Sequence, residues 1–424
     1  MIYLIQQKLS IGLLFIMLTF LNLSPIYAQD VVGEPLTKWT PGTLDIHEIA
    51  TGRGASTFFM LPDGTTMLFD AGEFTETDQA WRIPRYVEPK PNDSRTSSEW
   101  MTRYISRILE YGVKKQIDYA MPSHFHWDHM GQATDNSPKS KNGDYVLTGF
   151  TMIGEQIPIK TMLDRGWPDY DYLTNPSDRS LINYRTFIDW QVEHNSMKVE
   201  RFTPGRSDQI VLKYEPQKYS NFSIQNVAAN GEVWTGVSTN TRKYFPPLED
   251  LDPSDYPNEN ISSLALRMSY GSFDYFTGGD IAGIALEGKP DFYDIETPIA
   301  QAVGPVEVSV LNHHGYIDSQ NAFFVRSLRP QVWIIPVWDS AHPSPMVYKR
   351  LLTDFLYPGK RDIFATAMHE ANKLVVVGLD QLASDNGHIV VRVSPGGETF
   401  HVVVIDNSNE EMTVKSIHGP YTSR

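Results

Sequence analysis

A dense cluster of histidines and acidic residues is the part of this sequence best suited to chemistry. The stretch from His124 to Gly131 reads HFHWDHMG. Imidazole and carboxylate groups are the usual ligands of zinc and similar divalent metals. His124 and His126 fall on one side of an extended segment, so both can reach one ion. The turn at Asp128 and His129 can direct two more ligands at a second ion, and a chance cluster of ordinary histidines is the alternative.

Short strands and one amphipathic helix precede this cluster. Three apolar stretches between residues 43 and 69 predict strands, and the last of them ends at Asp70. Apolar residues at three-to-four spacing predict a helix over 98–111. The cluster follows a predicted buried strand at 116–121, the position where open α/β folds place their ligands.

The region 136–255 is less regular, and we interpret it as an ordered insert. Short strands are predicted there, among them 210–212 and 223–227, together with a helix near 181–193. The region is rich in aromatic residues, which would form either a stacking surface or an ordinary packed core, and we prefer the core.

The second half repeats the alternation of strands with helices. A predicted hairpin ends just before Asp280, and a strand at 307–311 ends just before His313 and His314. Residues 381–424 predict a C-terminal β-hairpin. The pattern indicates two β-rich halves packed face to face with helices outside.

Composition excludes several classes of protein and site. The 424 residues carry a formal net charge of −15, which argues against broad electrostatic binding to nucleic acid or anionic lipid. The chain has no cysteine, so it is not a disulfide scaffold and has no thiolate ligand or nucleophile. A metal would be held by His, Asp, Glu, Asn or water.

The first 28 residues predict a cleaved export signal. Lys8 precedes a compact apolar core at 11–21, Ser24-Pro25 interrupts it, and Ala28 offers a cleavage point. A single membrane anchor is the alternative, but the apolar run is short for a membrane span. The prediction is therefore a secreted or periplasmic protein.

The motifs together resemble the metallo-β-lactamase superfamily of metallohydrolases. The resemblance rests on HFHWDH, the preceding Asp-Ala-Gly, and the later Gly-Asp and His-Gly pairs. The second half, with NENISSLALRMSYGSFDYFTGGD, VSVLNHHG and SAHPSPMVYKRLL, is similar to the hydrolase domain of the bacterial DNA-uptake competence channel family and to its exported stand-alone relatives. It covers roughly residues 44–355 outside the insert.

This resemblance implies a fold class and a domain organisation. The fold would be α+β, a four-layer αββα metallo-β-lactamase sandwich over residues 29–380. The insert 136–255 lies within that domain, and the hairpin at 381–424 extends it.

The resemblance also implies a ligand set around one or two ions, most simply Zn²⁺, with Mn²⁺ as the alternative. The first two histidines of the motif would hold one ion, and its Asp-His pair would hold the other. A later aspartate would bridge both ions, and a late histidine would complete the second. In chain order these ligands are His124, His126, Asp128, His129, Asp280 and His314.

Further residues have supporting or competing assignments. His313 is the rival of its neighbour His314, because the sequence does not show which imidazole points inward. Asp70 would orient a ligating imidazole through a hydrogen bond. His342 would either line the site or be an ordinary loop residue.

One departure from the superfamily pattern concerns the first ion. A further histidine ligand is usual between the motif and the bridging aspartate, and this chain has Asn258-Glu259-Asn260 in its place. An amide oxygen such as that of Asn260 is a poor zinc ligand, so the first position would be weaker or completed by water. Glu259 is a less favoured substitute.

The implied function is an exported metal-dependent hydrolase that uses a metal-bound hydroxide. Asp128 or Asp280 would accept the proton, and the substrate would be a small molecule or ester, with a phosphoester or phosphodiester preferred over a lactam, lactone or thioester. The alternative is a catalytically weak or inactive cell-envelope binding protein that retains the fold. A role in nucleic-acid uptake is disfavoured by the negative charge.

Overall fold

The computed structural model describes residues 29–74, 85–286 and 288–424. These residues contain seventeen strands and eight α-helices. The strands, in chain order, are β1 (Leu44–Glu48), β2 (Thr57–Met60), β3 (Thr66–Phe69), β4 (Ile117–Met121), β5 (Ile159–Asp164), β6 (Lys198–Arg201), β7 (Phe222–Ala229), β8 (Glu232–Trp234), β9 (Thr241–Lys243), β10 (Ala265–Tyr270), β11 (Phe273–Thr277), β12 (Val308–Val310), β13 (Val332–Ile335), β14 (Asp362–Ala365), β15 (His388–Val393), β16 (Thr399–Ile405) and β17 (Val414–Thr422). The helices are α1 (Ser97–Leu109), α2 (Trp127–Met130), α3 (Gly149–Gln156), α4 (Arg179–Asn195), α5 (Glu296–Val303), α6 (Ala322–Leu328), α7 (Pro345–Leu352) and α8 (Glu370–Val375).

The strands form two large mixed sheets. The first has the order β17-β16-β15-β1-β2-β3-β4-β5-β6, and its last four strands run parallel. The second has the order β14-β13-β12-β11-β10-β7-β8-β9, and β11 to β14 run parallel. Parallel strands joined through helices bring several strand ends to one edge of each sheet, where loops can carry functional side chains.

Three apolar cores stack the elements into layers. The largest core lies between the sheets and takes residues from both. A second core packs α5, α6 and α7 against the outer face of the second sheet. The third packs α1, α3 and α4 against the outer face of the first sheet. The molecule is therefore a mixed α/β sandwich of two sheets with helices on the outer faces, and the predicted face-to-face arrangement is confirmed.

The region that we interpreted as an insert belongs to both sheets. Residues 136–255 supply β5 and β6 to the first sheet and β7, β8 and β9 to the second. The predicted strand at 210–212 is wrong. Ile210 and Leu212 do bury their side chains between the sheets, but the segment is irregular and its Val211 backbone bonds the hydroxyl of Tyr119.

The C-terminal hairpin extends the first sheet. Strands β15 and β16 pair as predicted, β15 pairs with β1, and a third strand, β17, pairs with β16. Among the described residues, no helix is both long and apolar enough to cross a bilayer. The predicted signal at 1–28 lies outside the described residues.

Helix α1 shows how local sequence sets an element that supports the site. The predicted helix over 98–111 forms at Ser97–Leu109. The Thr96 side chain accepts a hydrogen bond from the Glu99 backbone, and the Glu99 carboxylate accepts one from the Thr96 backbone, a reciprocal pair that satisfies two free amides at the start of the helix. Its apolar face packs on the first sheet beside β4, which leads to the histidine motif.

Candidate metal centre

Three loops at strand ends bring the candidate ligands together. The histidine motif follows β4, and its second half forms the short helix α2. Asp280 follows β11 after two glycines, and His313 and His314 follow β12 in a tight turn. Sequence reasoning placed each of these groups at a strand end, and the structure joins them in one buried cluster.

Three side chains converge on one side of Asp280 and form a group of four with it. His129 Nε2 lies 3.0 Å from Asp280 Oδ1, and His314 Nε2 lies 3.5 Å from the same oxygen. Asp128 Oδ2 is 3.3 Å from His314 Nε2 and 3.6 Å from His129 Nε2. All four residues are buried, and one ligand atom from each falls within 4.8 Å of the others. This group can hold a metal ion.

A second group shares the other oxygen of Asp280. His124 Nε2 lies 3.8 Å from Asp280 Oδ2 and 3.0 Å from Nδ1 of His126. Ligand atoms of these three residues also lie within 4.8 Å of one another. Asp280 therefore stands between two groups of possible ligands, as expected of a bridging carboxylate.

Asp70 contacts the histidine motif and the preceding Ser123 through its two carboxylate oxygens. Its Oδ2 is 2.8 Å from His129 Nδ1, and its Oδ1 accepts a hydrogen bond of 2.5 Å from the Ser123 backbone. The Ser123 hydroxyl in turn lies 3.0 Å from His124 Nδ1 and 3.2 Å from His129 Nδ1. Such contacts fix the orientation of the rings and keep their Nε2 atoms toward the centre.

His314 is anchored in the same way by the second sheet. Its Nδ1–H donates to the carbonyl of Pro336 at 2.8 Å, so Nε2 carries the lone pair. The Trp338 indole Nε1–H donates to that Nε2 at 3.1 Å. His342 is buried and stacks on His314 with ring centroids 4.8 Å apart, so it lines the site rather than an outer loop.

His313 also points toward Asp280, from the other side. Its Nε2 lies 3.7 Å from Asp280 Oδ2 and 3.2 Å from Asn260 Nδ2, and its Nδ1 lies 2.7 Å from Asp318 Oδ1. The side-chain oxygen of Asn260 is buried without a hydrogen-bond partner. His313 and His314 thus approach different oxygens of one carboxylate.

The Glu259 carboxylate contacts the backbone of the histidine motif and forms an ion pair with Arg165. Its Oε1 accepts 2.8 Å hydrogen bonds from the Phe125 backbone and from Arg165 Nε, and its Oε2 pairs with Arg165 Nη2. Since the carboxylate is committed to a buried guanidinium, the structure gives no support to Glu259 as a ligand. The sequence held no signal for this pairing, because the partners are 94 residues apart.

The electrostatic field of the centre favours a cation. Burial alone would lower the pKa of His129, but Asp280, Asp70 and Asp128 outweigh it and raise that pKa well above its usual value. Burial alone would raise the pKa of Asp280, but His129, His314 and His313 hold it well below the usual range. The carboxylates that raise the pKa of His129 would also stabilise a metal ion.

His124 lies in a different environment from His129. Burial, followed by the charge of His129, places the pKa of His124 well below its usual value. A neutral imidazole is the form that binds a metal. Burial, followed by the neighbouring imidazole of His314, likewise lowers the pKa of His342 well below its usual value.

Backbone packing holds the motif close to the loop after β3. A Cβ atom at Gly72 would lie 1.8 Å from the Asp128 carbonyl oxygen, and one at Gly54 would lie 2.4 Å from the same atom. Only glycine allows this approach, which the Ala55 backbone completes by donating to the Asp128 carbonyl at 2.9 Å. The Asp-Ala-Gly signal thus marks a packing position as well as the supporting carboxylate.

The donor set fits a divalent metal. Neutral imidazoles and carboxylates are preferred by zinc and are accepted by manganese, and no thiolate is needed. Asp280 Oδ1 is buried close to two imidazole nitrogens, yet it accepts no well-directed hydrogen bond. A buried carboxylate oxygen normally has a hydrogen-bond donor, and this one has none among the described residues. A cation bound between this oxygen and the nearby imidazole nitrogens would compensate its charge.

An aromatic wall borders the centre, defined here as Phe74, Tyr86, Trp127 and Trp338. The Phe74 ring is the hub, with its centroid 4.6 Å from that of Trp127 and 4.9 Å from those of Tyr86 and Trp338. Phe74 is buried, and the other three rings are half-buried. No sequence pattern predicts this wall, because its members come from separate loops and share no spacing.

No protein-family model matches this chain, and no curated protein matches it.

Proposed function

We propose that this protein is a metal-dependent hydrolase with the four-layer αββα arrangement of the metallo-β-lactamase superfamily. The observation that carries the proposal is the position of Asp280 between two groups of buried ligands. A carboxylate shared by two such groups is the expected feature of a two-metal hydrolytic site. A protein that only bound a ligand would not need this many buried titratable groups around one carboxylate.

The ligands divide between two metal positions. His124, His126 and Asp280 Oδ2 would serve the first position, and the four-residue group on Oδ1 would serve the second. Divalent ions at such positions lower the pKa of water toward neutrality and polarise a substrate oxygen. The chain's own groups then orient the substrate and take up the released proton.

Two side chains have proposed roles beside the ligands. Asp128 is the preferred proton acceptor, because Asp280 is placed to hold both positions and its pKa is the more strongly lowered. The Trp338 indole N–H points at His314 Nε2. When that nitrogen binds a metal, the N–H becomes a donor available to a substrate oxygen beside the centre.

A phosphoester or phosphodiester of modest size is the proposed substrate. The similarity of the second half to the competence-type hydrolase domain supports this class, and the aromatic wall beside the ligands offers a flat apolar surface for a substituent. The net charge of −15 disfavours a long polyanion. Export, inferred from residues 1–28, completes the proposal.

Hydrolysis of bis(p-nitrophenyl) phosphate tests the proposal. The chelated protein would be measured alone, after addition of Zn²⁺ and after addition of Mn²⁺. We expect activity only with metal, and we expect Asp128→Ala to lower it by more than about 100-fold, because loss of groups that merely support ligands already costs about 10–100-fold. The matched control is Asp208→Ala, since Asp208 is exposed.

Two results would change the proposal. Full turnover by Asp128→Ala would contradict a hydrolase that uses this centre. Cleavage of a β-lactam or carboxylic ester in preference to the phosphodiester would keep the hydrolase and reject the substrate class.

A further inference from the structure

The first metal position has only three ligands by the sequence pattern, and His313 Nε2 approaches the same oxygen of Asp280 as His124 Nε2 does. We propose that His313 is the missing nitrogen ligand of the first position, while His314 serves the second. This inference rests on the proposed metal centre and goes beyond it, because it assigns a ligand that the histidine motif and the bridging aspartate do not supply.

Distances to Asp280 separate the two neighbouring histidines. His313 Nε2 lies 3.7 Å from Oδ2, the oxygen that His124 Nε2 approaches to 3.8 Å. His314 Nε2 lies 3.5 Å from Oδ1, the oxygen that His129 Nε2 approaches to 3.0 Å. Each half of the carboxylate is thus met by one imidazole from the first sheet and one from the second.

The backbone explains how adjacent residues reach different positions. His313 and His314 both have left-handed conformations, with φ of 46° and 54°. Two successive residues of this kind are uncommon outside glycine and mark a position held by its surroundings. Their rings diverge, with centroids 6.5 Å apart and planes at 56°.

Asp318 gives His313 the support that a ligand imidazole requires. The Nδ1–H donates to Asp318 Oδ1 at 2.7 Å, and this contact turns Nε2 toward the centre. The Asp318 carbonyl accepts hydrogen bonds of 2.8 Å and 2.9 Å from the backbones of Gly283 and Ile284, in the loop that follows Asp280. His313 is therefore anchored to the loop of the bridging carboxylate.

Asn260 closes the remaining side of the first position. Its Nδ2 lies 3.2 Å from His313 Nε2, while its Oδ1 is buried without a partner. Asn260 occupies the place in the sequence where the superfamily pattern has a histidine. Its amide contacts His313 Nε2, and this imidazole, not the amide, lies beside Asp280 Oδ2. The missing histidine is thus compensated from the second sheet.

Metal binding by variants tests the assignment independently of turnover. The chelated protein would be titrated with Zn²⁺ by calorimetry, metal content would be measured by elemental mass spectrometry, and Co²⁺ would report the coordination spectrum. His313→Asn is the central variant, because asparagine tolerates a left-handed backbone and is too short to replace the ring. His194→Asn is the control, since His194 is an exposed residue of α4.

We expect two ions in the wild-type protein and in His194→Asn. His313→Asn should keep the ion of the Oδ1 group and bind the other at least 10-fold more weakly, with a changed Co²⁺ spectrum. Asp318→Asn should weaken the same ion by about 10–100-fold. Unchanged thermal unfolding in the metal-free state would show that the variants remain folded.

The inference is overturned if His313→Asn binds two ions with wild-type affinity and an unchanged Co²⁺ spectrum. It is also overturned if the wild-type protein binds no ion. Two ions in the wild-type protein without phosphodiester turnover would reject the proposed function alone, because the ligand assignment does not depend on catalysis.

Discussion

Asp70 and His129 are joined by a 2.8 Å contact between carboxylate Oδ2 and imidazole Nδ1, and both side chains are buried. The contact fixes the ring so that its Nε2 faces Asp280 at 3.0 Å. It links the end of β3 to the histidine motif after β4, and these two strands are parallel neighbours. The orientation of a candidate ligand, His129, thus depends on a residue 59 positions earlier in the chain.

Asp70→Asn should weaken metal binding without unfolding the protein. Asparagine tolerates the left-handed backbone at this position, where φ is 65°, but its amide lacks the charge that favours His129. We expect the second metal position to lose about 10–100-fold in affinity by calorimetry. Asp178→Asn is the control, because Asp178 caps the start of α4 and an asparagine at this position can cap the helix equally well. Equal affinities in Asp70→Asn and the wild type would contradict the supporting role.

Trp338→Phe should reduce turnover while keeping the aromatic wall. Phenylalanine can preserve the contact with Phe74 but removes the indole N–H that points at His314. Loss of one hydrogen bond of about 0.5–1.5 kcal/mol predicts a fall of about 3–10-fold in kcat/KM. Trp234→Phe is the control, since Trp234 lies in β8, away from the wall. An unaltered kcat/KM in Trp338→Phe would remove this residue from the account.

The Arg165–Glu259 pair should be strongly coupled in stability. Arg165 is 1% exposed, and its guanidinium holds the carboxylate that also accepts from the Phe125 backbone inside the motif. Removal of one partner of a buried pair costs about 3–5 kcal/mol, because the other charge is left without compensation. We expect Glu259→Leu to reach this range in urea unfolding. The double variant with Arg165→Met should lose less than the sum of the single losses by at least about 1 kcal/mol. Simple additivity would show that the pair does not act as a unit.

His47 should make the protein less stable in mild acid. Burial lowers its pKa from 6.5 to about 4, so the native state binds this proton less tightly than the unfolded chain. The stability present above pH 6.5 is therefore lost as the pH falls toward 4, by up to about 3 kcal/mol. His47→Gln should show a shallower decline in unfolding free energy between pH 7 and pH 4.5, whereas His194→Gln should follow the wild type. Parallel curves for His47→Gln and the wild type would contradict the shift.

Local patterns predicted most of the sheet elements and pointed to the histidine motif, because these features depend on near neighbours in sequence. Strands form at Phe273–Thr277, His388–Val393 and Thr399–Ile405, where the sequence predicts hairpins. The period of an extended segment explains why His124 and His126 lie together. These signals need no knowledge of the rest of the chain.

The remaining features depend on contacts between distant residues. The segment at 210–212 has the alternation of a strand, but this alternation buries Ile210 and Leu212 between the sheets without strand pairing. Glu259 pairs with Arg165, and Asp318 contacts His313. Both contacts depend on the folded conformations of loops, which no local sequence pattern encodes. Two successive left-handed residues decide which histidine faces which oxygen of Asp280, and no periodicity predicts that conformation.

The proposed two-metal centre is tested most directly by the metal content of Asp280→Ala, measured by elemental mass spectrometry together with phosphodiester turnover. Because Asp280 meets both groups of ligands, we predict that the variant loses tight binding of both ions and all metal-dependent turnover, while Asp208→Ala retains both. An Asp280→Ala protein that holds two ions and turns over substrate at the wild-type rate would contradict a two-metal centre that shares Asp280.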